Sequence, residues 1–177
     1  MIIYAYILCW NEEKILPFTL DHYSHFCDKI YLLDNHSTDR SVEIAKTYEK
    51  VEILQFQCTE PDKYDDVESA ELRSSIYKSW DPPGALGKAD WCIFVDCDEF
   101  VFHPHIREIL GEYKERGVTI PRTAGYQMFL KHFPEYTTGS LLVDWADRGV
   151  KDESFCKPVI IAPNEVEVKF GAIIRCF

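Results

Sequence analysis

The chain has 177 residues, 46% of them hydrophobic, which suits one globular domain with its own core and excludes a disordered chain. Its 30 Asp and Glu outnumber its 19 Lys and Arg, for a net charge of −11. A surface this acidic excludes nucleic acid as a bulk partner, because phosphate backbones need a basic face.

Ile2 to Trp10 is apolar and β-rich and predicts a first strand. It has no basic flank and is too short to span a bilayer, so we expect a soluble chain with no transmembrane segment. Asn11-Glu12-Glu13 follows. Asn11 is expected to cap a helix running from Ile15 to about Phe26, with acids in its first turn. Pro17 marks a late start or a kink in that helix. Lys29 to Leu33 predicts a second strand, ending in Asp34-Asn35-His36-Ser37-Thr38-Asp39. Ser37 or Thr38 is expected to cap the next helix, with Val42, Ile44, Ala45 and Tyr48 on its core face. Val51 to Phe56 predicts a third strand. The order β-α-β-α-β is the signature of an α/β fold with a parallel, doubly wound sheet.

Cys58 to Asp66 reads as a loop. Val67 to Trp80 predicts a helix, with Leu72, Ile76 and Trp80 at a spacing of four, and Asp81-Pro-Pro-Gly84 stops it. Trp91 to Val95 is a continuous apolar run, as expected of a strand buried on both faces, and leads straight into Asp96-Cys97-Asp98-Glu99. Ile106 to Tyr113 predicts a helix after Pro104, closed by Gly117. Val118 to Phe129 reads as extended, His132 to Asp152 as loop, and Lys157 to Ile161 and Val166 to Ile174 as late strands. There is no repeat, low-complexity tract or linker, so residues 1–177 are expected to form a single domain. The 7 cysteines are odd in number and include no C-x-x-C, which predicts a reducing, cytoplasmic setting without disulfides or a zinc site.

Three predicted strand ends carry polar clusters: Asn11 to Glu13, Asp34 to Asp39, and Asp96 to Glu99. In a parallel sheet these ends share one edge and meet at the topological switch point, where ligands of such sheets bind. Carboxylates this dense repel one another unless a cation neutralises them. Mg²⁺ and Mn²⁺ take oxygen ligands and share them with substrate phosphates, so a metal-bridged diphosphate is one reading. A solvated acidic strand end is the other.

The sequence of motifs — strand, Asn-Glu-Glu, Asp-Asn-x-Ser-Thr-Asp, then an apolar run with Asp-x-Asp — resembles the family 2 type of nucleotide-sugar glycosyltransferases. The form Asp-Cys-Asp-Glu-Phe is similar to a subgroup of that family with Asp-x-Asp-Glu-Phe. The resemblance covers Met1 to about Phe102 and weakens beyond. It implies the single-domain, Rossmann-like GT-A fold, with a donor half over about residues 1–102 and an acceptor half over about 103–177. The implied donor is a nucleoside-diphosphate sugar, UDP- or GDP-linked, and the acceptor a glycan or other hydroxyl compound. Leu8, Trp10, Asn11 and Glu12 match positions that hold the nucleobase and ribose. The family's Asp-Asp pair stands here as Asp34-Asn35, which leaves base preference open. Arg73 matches a basic position near the diphosphate, or else pairs with Glu71 or another surface acid. Asp96 matches the residue that contacts the ribose or a metal-bound water, and Asp98 the residue that binds Mn²⁺ (or Mg²⁺) directly. Glu99 supports the metal site or faces solvent.

The resemblance also implies an inverting displacement, with a carboxylate base contributing roughly 10²–10⁴-fold. Asp152 and Asp144 are the expected candidates, ahead of Asp147 and Glu153. Two features depart from the family. No His follows His132, where many relatives place a metal-binding His, although His103, His105 and His132 are available in principle. The chain is also short, and reads as a minimal enzyme, a truncated one or a fragment. An inactive relative that binds nucleotide without turnover is therefore the alternative reading. A haloacid-dehalogenase phosphohydrolase would carry Asp-x-Asp after its first strand, and a nucleotidylyltransferase would open with a Gly-rich basic loop. This chain has neither.

Overall fold

A computed structural model describes residues 1–59, 65–146 and 148–171. Its elements in chain order are β1 (Ile3–Cys9), α1 (Leu16–Ser24), β2 (Lys29–Asp34), α2 (Ser41–Ala45), β3 (Val51–Gln55), α3 (Asp66–Ile76), β4 (Trp91–Asp96), α4 (Ile106–Glu115), β5 (Tyr126–Phe129), β6 (Arg148–Lys151) and β7 (Ile160–Ile161). The central sheet has the order β3-β2-β1-β4-β7. The β1–β2, β2–β3 and β1–β4 pairs are parallel, and β7 joins β4 antiparallel. This is the mainly parallel α/β sheet expected from the sequence. The strand order reverses between β1 and β4, so the switch point lies there.

The two faces of the sheet are packed differently. On one face Ile3, Ala5, Ile7, Ile30, Leu32, Ile93 and Val95 meet α1 and α4 through Leu16, Leu20, Tyr23 and Leu110. On the other, Tyr6 stacks between Tyr31 and Phe94, with ring centroids 5.2 and 5.0 Å apart, beneath Leu72 and Ile76 of α3. Burial on both faces explains why β1, β2 and β4 read as unbroken apolar runs.

Several expectations are corrected. Asn11 does not cap α1. It has a positive φ of 57°, a conformation Asn tolerates, and the first residue flanking the helix is Ile15. Pro17 sits in the first turn, where its missing N–H costs nothing, so it marks a late start and not a kink. Neither Ser37 nor Thr38 caps α2, which is preceded by Arg40. Trp80 lies past the end of α3 and is 69% exposed. Only Tyr126–Phe129 of the extended segment after α4 pairs, and it pairs with β6 in a separate two-stranded ribbon. Pro158 has no N–H to pair, and the late strand shrinks to Ile160–Ile161. Residues 166–171 form no strand, and 172–174 of that predicted strand lie outside the described residues, as does most of the predicted loop between Cys58 and Asp66. No helix among the described residues is long and apolar enough to cross a membrane. The 6 cysteines among them are unpaired thiols, and Cys176 lies outside.

Candidate functional site

The ends of β1 and β2 are tied together before any ligand is considered. Cys9 and Asp34 are register partners, and the Asn35 N–H donates to the Cys9 carbonyl at 2.9 Å. The Asn11 side-chain oxygen accepts from the Thr38 and Asp39 N–H groups at 2.7 and 3.3 Å. In return, Ser37 Oγ, Ser41 Oγ and Asp39 Oδ2 accept from the N–H groups of Asn11, Glu12 and Glu13, each at 2.9 Å. The two polar motifs therefore satisfy each other's backbone. Asn11 is spent on this lacing and stays exposed, whereas Glu12 turns inward.

Glu12 lines a cleft of about 210 Å³ together with Leu8, Cys9 and Trp10 from the end of β1 and Asp96, Cys97 and Asp98 from the end of β4. It is the hollow at the switch point. Burial raises the Glu12 carboxyl above the usual carboxylate range, and the charges of Asp98, Asp39 and Asp96 raise it further. Asp98 is exposed at the mouth and Asp96 is half-buried. Asp96 forms an ion pair with Nη2 of Arg73, which reaches in from α3. The Arg73 side chain is mostly buried, and its Nε has no partner among the described residues. Of the readings open for Arg73, pairing with Glu71 is not the one seen. Glu99 does not simply face solvent: Oε1 meets Lys157 Nζ at 2.6 Å, and Oε2 accepts from the Asp96 N–H at 3.3 Å.

Asp34 and Asn35 stand at the end of β2, both essentially buried. Asp34 accepts from Gln55 Nε2 at 2.8 Å and from the Ser37 N–H at 3.2 Å. The Asn35 side-chain oxygen accepts from the Cys58 N–H at 3.2 Å, while its buried Nδ2 has no partner among the described residues.

No protein-family model and no curated protein matches the chain. Solved structures that match include a crystal structure of 4-diphosphocytidyl-2C-methyl-D-erythritol synthase. The two share 11% identity and a TM-score of 0.44, over 92% of this chain and 76% of that one. A likeness of that degree says nothing about activity.

The expected catalytic acids lie elsewhere. Asp144 is exposed at the end of a short 3₁₀ turn, Leu142–Asp144. Asp152 precedes a second such turn, and its Oδ1 accepts from the N–H and hydroxyl of Ser154 at 2.9 and 2.6 Å. Neither lines the cleft. Asp147 lies outside the described residues. His103 and His105 flank the start of α4 and His132 is exposed, none of them on the cleft wall.

The chemistry of the donors suits a hard divalent cation, since the charged ones, Glu12, Asp96 and Asp98, are all carboxylates. The mutual repulsion on Glu12 is what such a cation would relieve. Yet no group of 3 or more Asp, Glu, His or Cys among the described residues is arranged to hold a metal ion.

Proposed function

We propose that the chain binds a nucleoside-diphosphate sugar at the switch-point cleft and transfers its sugar to an acceptor hydroxyl, as a GT-A type glycosyltransferase. The observation that carries this reading is the arrangement at the ends of β1 and β4, where the Arg73–Asp96 ion pair stands beside Asp98 and Glu12. A mostly buried guanidinium paired with one of a row of cleft acids suits a diphosphate together with its counter-cation. The cleft is below the roughly 300–1,000 Å³ typical of small-molecule sites, so it takes part of the donor and leaves the rest on the surrounding rim.

In this reading Trp10 and the Leu8 backbone face the nucleobase and ribose. Asp96 accepts from a ribose hydroxyl and keeps Arg73 oriented towards the phosphates. Asp98, with Asp96, holds Mn²⁺ or Mg²⁺. The cation, when bound, neutralises the charge that grows on the departing diphosphate. Asp34 and Asn35 support the base side from the end of β2. The acceptor, a glycan or other hydroxyl compound, then attacks the anomeric carbon from the face opposite the diphosphate, with inversion.

The acceptor hydroxyl needs a base to take its proton. Asp144 and Asp152 are its candidates, and neither is on the cleft wall. That favours a second reading, a nucleotide-binding module without turnover.

One experiment separates the two. A panel of UDP- and GDP-sugars is incubated with the protein, with and without Mn²⁺, and donor binding and nucleoside-diphosphate release are followed together. Mn²⁺-dependent release from one donor, lost in Asp98→Ala, is the expected result. Binding without release selects the module. No binding to any donor removes both readings.

A further inference from the structure

α1 buries a polar stripe. Thr19 and Tyr23 are fully buried and His22 is 5% exposed, and polar groups are held inside a protein only at a cost unless their bonds are made. All three bond to one target, and Thr19 Oγ1 also lies 3.2 Å from the Ile15 carbonyl within α1. Thr19 Oγ1 donates to the Cys97 carbonyl at 2.5 Å. His22 Nε2 meets the Val101 carbonyl at 2.9 Å, which makes that nitrogen the protonated one. Tyr23 Oη donates to the Glu99 carbonyl at 2.8 Å and accepts from the Val101 N–H at 3.1 Å. Their positions, i, i+3 and i+4, lie on one face of a helix. The segment they grip, residues 97–101, leaves the sheet at the end of β4 and carries Asp98 and Glu99. Phe100 closes on the His22 ring, with centroids 5.2 Å apart.

We propose that Thr19, His22 and Tyr23 are positioning residues that hold the acidic turn in the geometry its cation and diphosphate need. The functional half of this inference rests on the reading above, and the mechanical half does not. None of the three side chains lines the cleft, so they act only through the main chain of residues 97–101. A turn bearing several carboxylates would otherwise spread apart by repulsion. Lys157 also holds this turn, through its ion pair with Glu99. With its backbone bonded from beneath, the turn keeps Asp98 beside Asp96 and Glu12 before a cation arrives, so that binding does not have to supply the ordering.

The test compares Tyr23→Phe with Tyr6→Phe. Tyr6 is equally buried and donates to the Pro83 carbonyl at 2.6 Å, but it packs on the opposite face of the sheet. Both variants lose a buried hydroxyl, and a merely structural role predicts the same outcome for both. Amide hydrogen exchange is read across residues 97–101, and affinity for UDP and GDP is read with and without Mn²⁺. We expect exchange in that segment to accelerate about tenfold in Tyr23→Phe alone, the scale of losing a net hydrogen bond or two. Mn²⁺-dependent nucleotide affinity should fall by a similar factor while metal-free affinity holds. Thr19→Val should behave the same way and Thr19→Ser should not, because serine keeps the hydroxyl. Unchanged exchange in Tyr23→Phe, or equal acceleration in Tyr6→Phe, overturns the clamp. Faster exchange with unaltered Mn²⁺-dependent binding overturns its functional half. If the wild type shows no Mn²⁺-dependent binding, the reading of the cleft fails with that functional half, and exchange alone decides the clamp.

Discussion

His22 shows how a single side chain converts burial into a pH response. Burial is the main cause that pushes its imidazole below the ordinary value of 6.5, and the nearby His25 adds to it. The ring sits among Tyr23, Phe26 and Phe100, and this burial outweighs its bond to the Val101 carbonyl, which favours the charged form, so the folded state prefers it neutral. Between its folded pKa and 6.5 the unfolded chain therefore binds the extra proton, and stability rises with pH. Its contribution is whole above 6.5 and is lost as pH falls through that window. The urea midpoint of the wild type is expected to drop between pH 7 and pH 5 by more than that of His22→Gln. Equal drops would mean that His22 titrates alike in the folded and the unfolded chain. Glu12 is the opposite case, a carboxyl raised by burial and by neighbouring acids, whose ionisation opposes the fold at neutral pH.

At the scale of elements, the helices start in different ways. α3 has an Asp65 cap, with Oδ1 accepting from the Val67 and Glu68 N–H groups at 2.8 and 2.9 Å. α1 has no side-chain cap, and the Glu12 carbonyl accepts from the Ile15 and Leu16 N–H groups at 3.1 and 2.9 Å. Asp65→Ala should therefore cost about 1 kcal/mol by urea denaturation. Because α3 delivers Arg73 to Asp96, the same variant should also weaken nucleotide binding. Asn11→Ala makes a useful contrast. It leaves the helix start of α1 intact but removes the oxygen that laces the loops after β1 and β2 together.

Across the whole molecule, order is expected to follow burial. β1, β2 and β4 lie at the centre of the sheet and bury almost every residue. The β5–β6 ribbon is exposed along both strands and stands in a sheet of its own. Amide exchange should be slowest in the first three strands and fastest in the ribbon, since local opening is easiest where few apolar contacts hold an element. Ribbon amides as slow as those of β1 would mean that its exposed Tyr126, Met128, Phe129 and Val150 are covered in solution.

The sequence by itself determined β1, β2, β3 and β4, their parallel character and the acid clusters at their ends. Each of these is a local pattern: a double-sided apolar run, a helical spacing, a polar residue where the run stops. Leu8, Trp10, Glu12, Asp96 and Asp98 were legible as neighbours because strand register carries them to one edge. Local pattern misled at Asn11, where a residue suited to capping instead bridges two loops, and at Trp80, whose spacing of four continues past the true end of α3. Only the tertiary structure decided that Arg73 meets Asp96, that Lys157 meets Glu99, and that Asp144 and Asp152 stay off the cleft wall. The polar stripe of α1 was equally hidden, because Tyr23 and Glu99 are 76 positions apart and nothing in the spacing of either segment encodes their meeting. Such contacts depend on how helices settle on the sheet, which is set by the packing of whole faces and not by the residues that happen to touch.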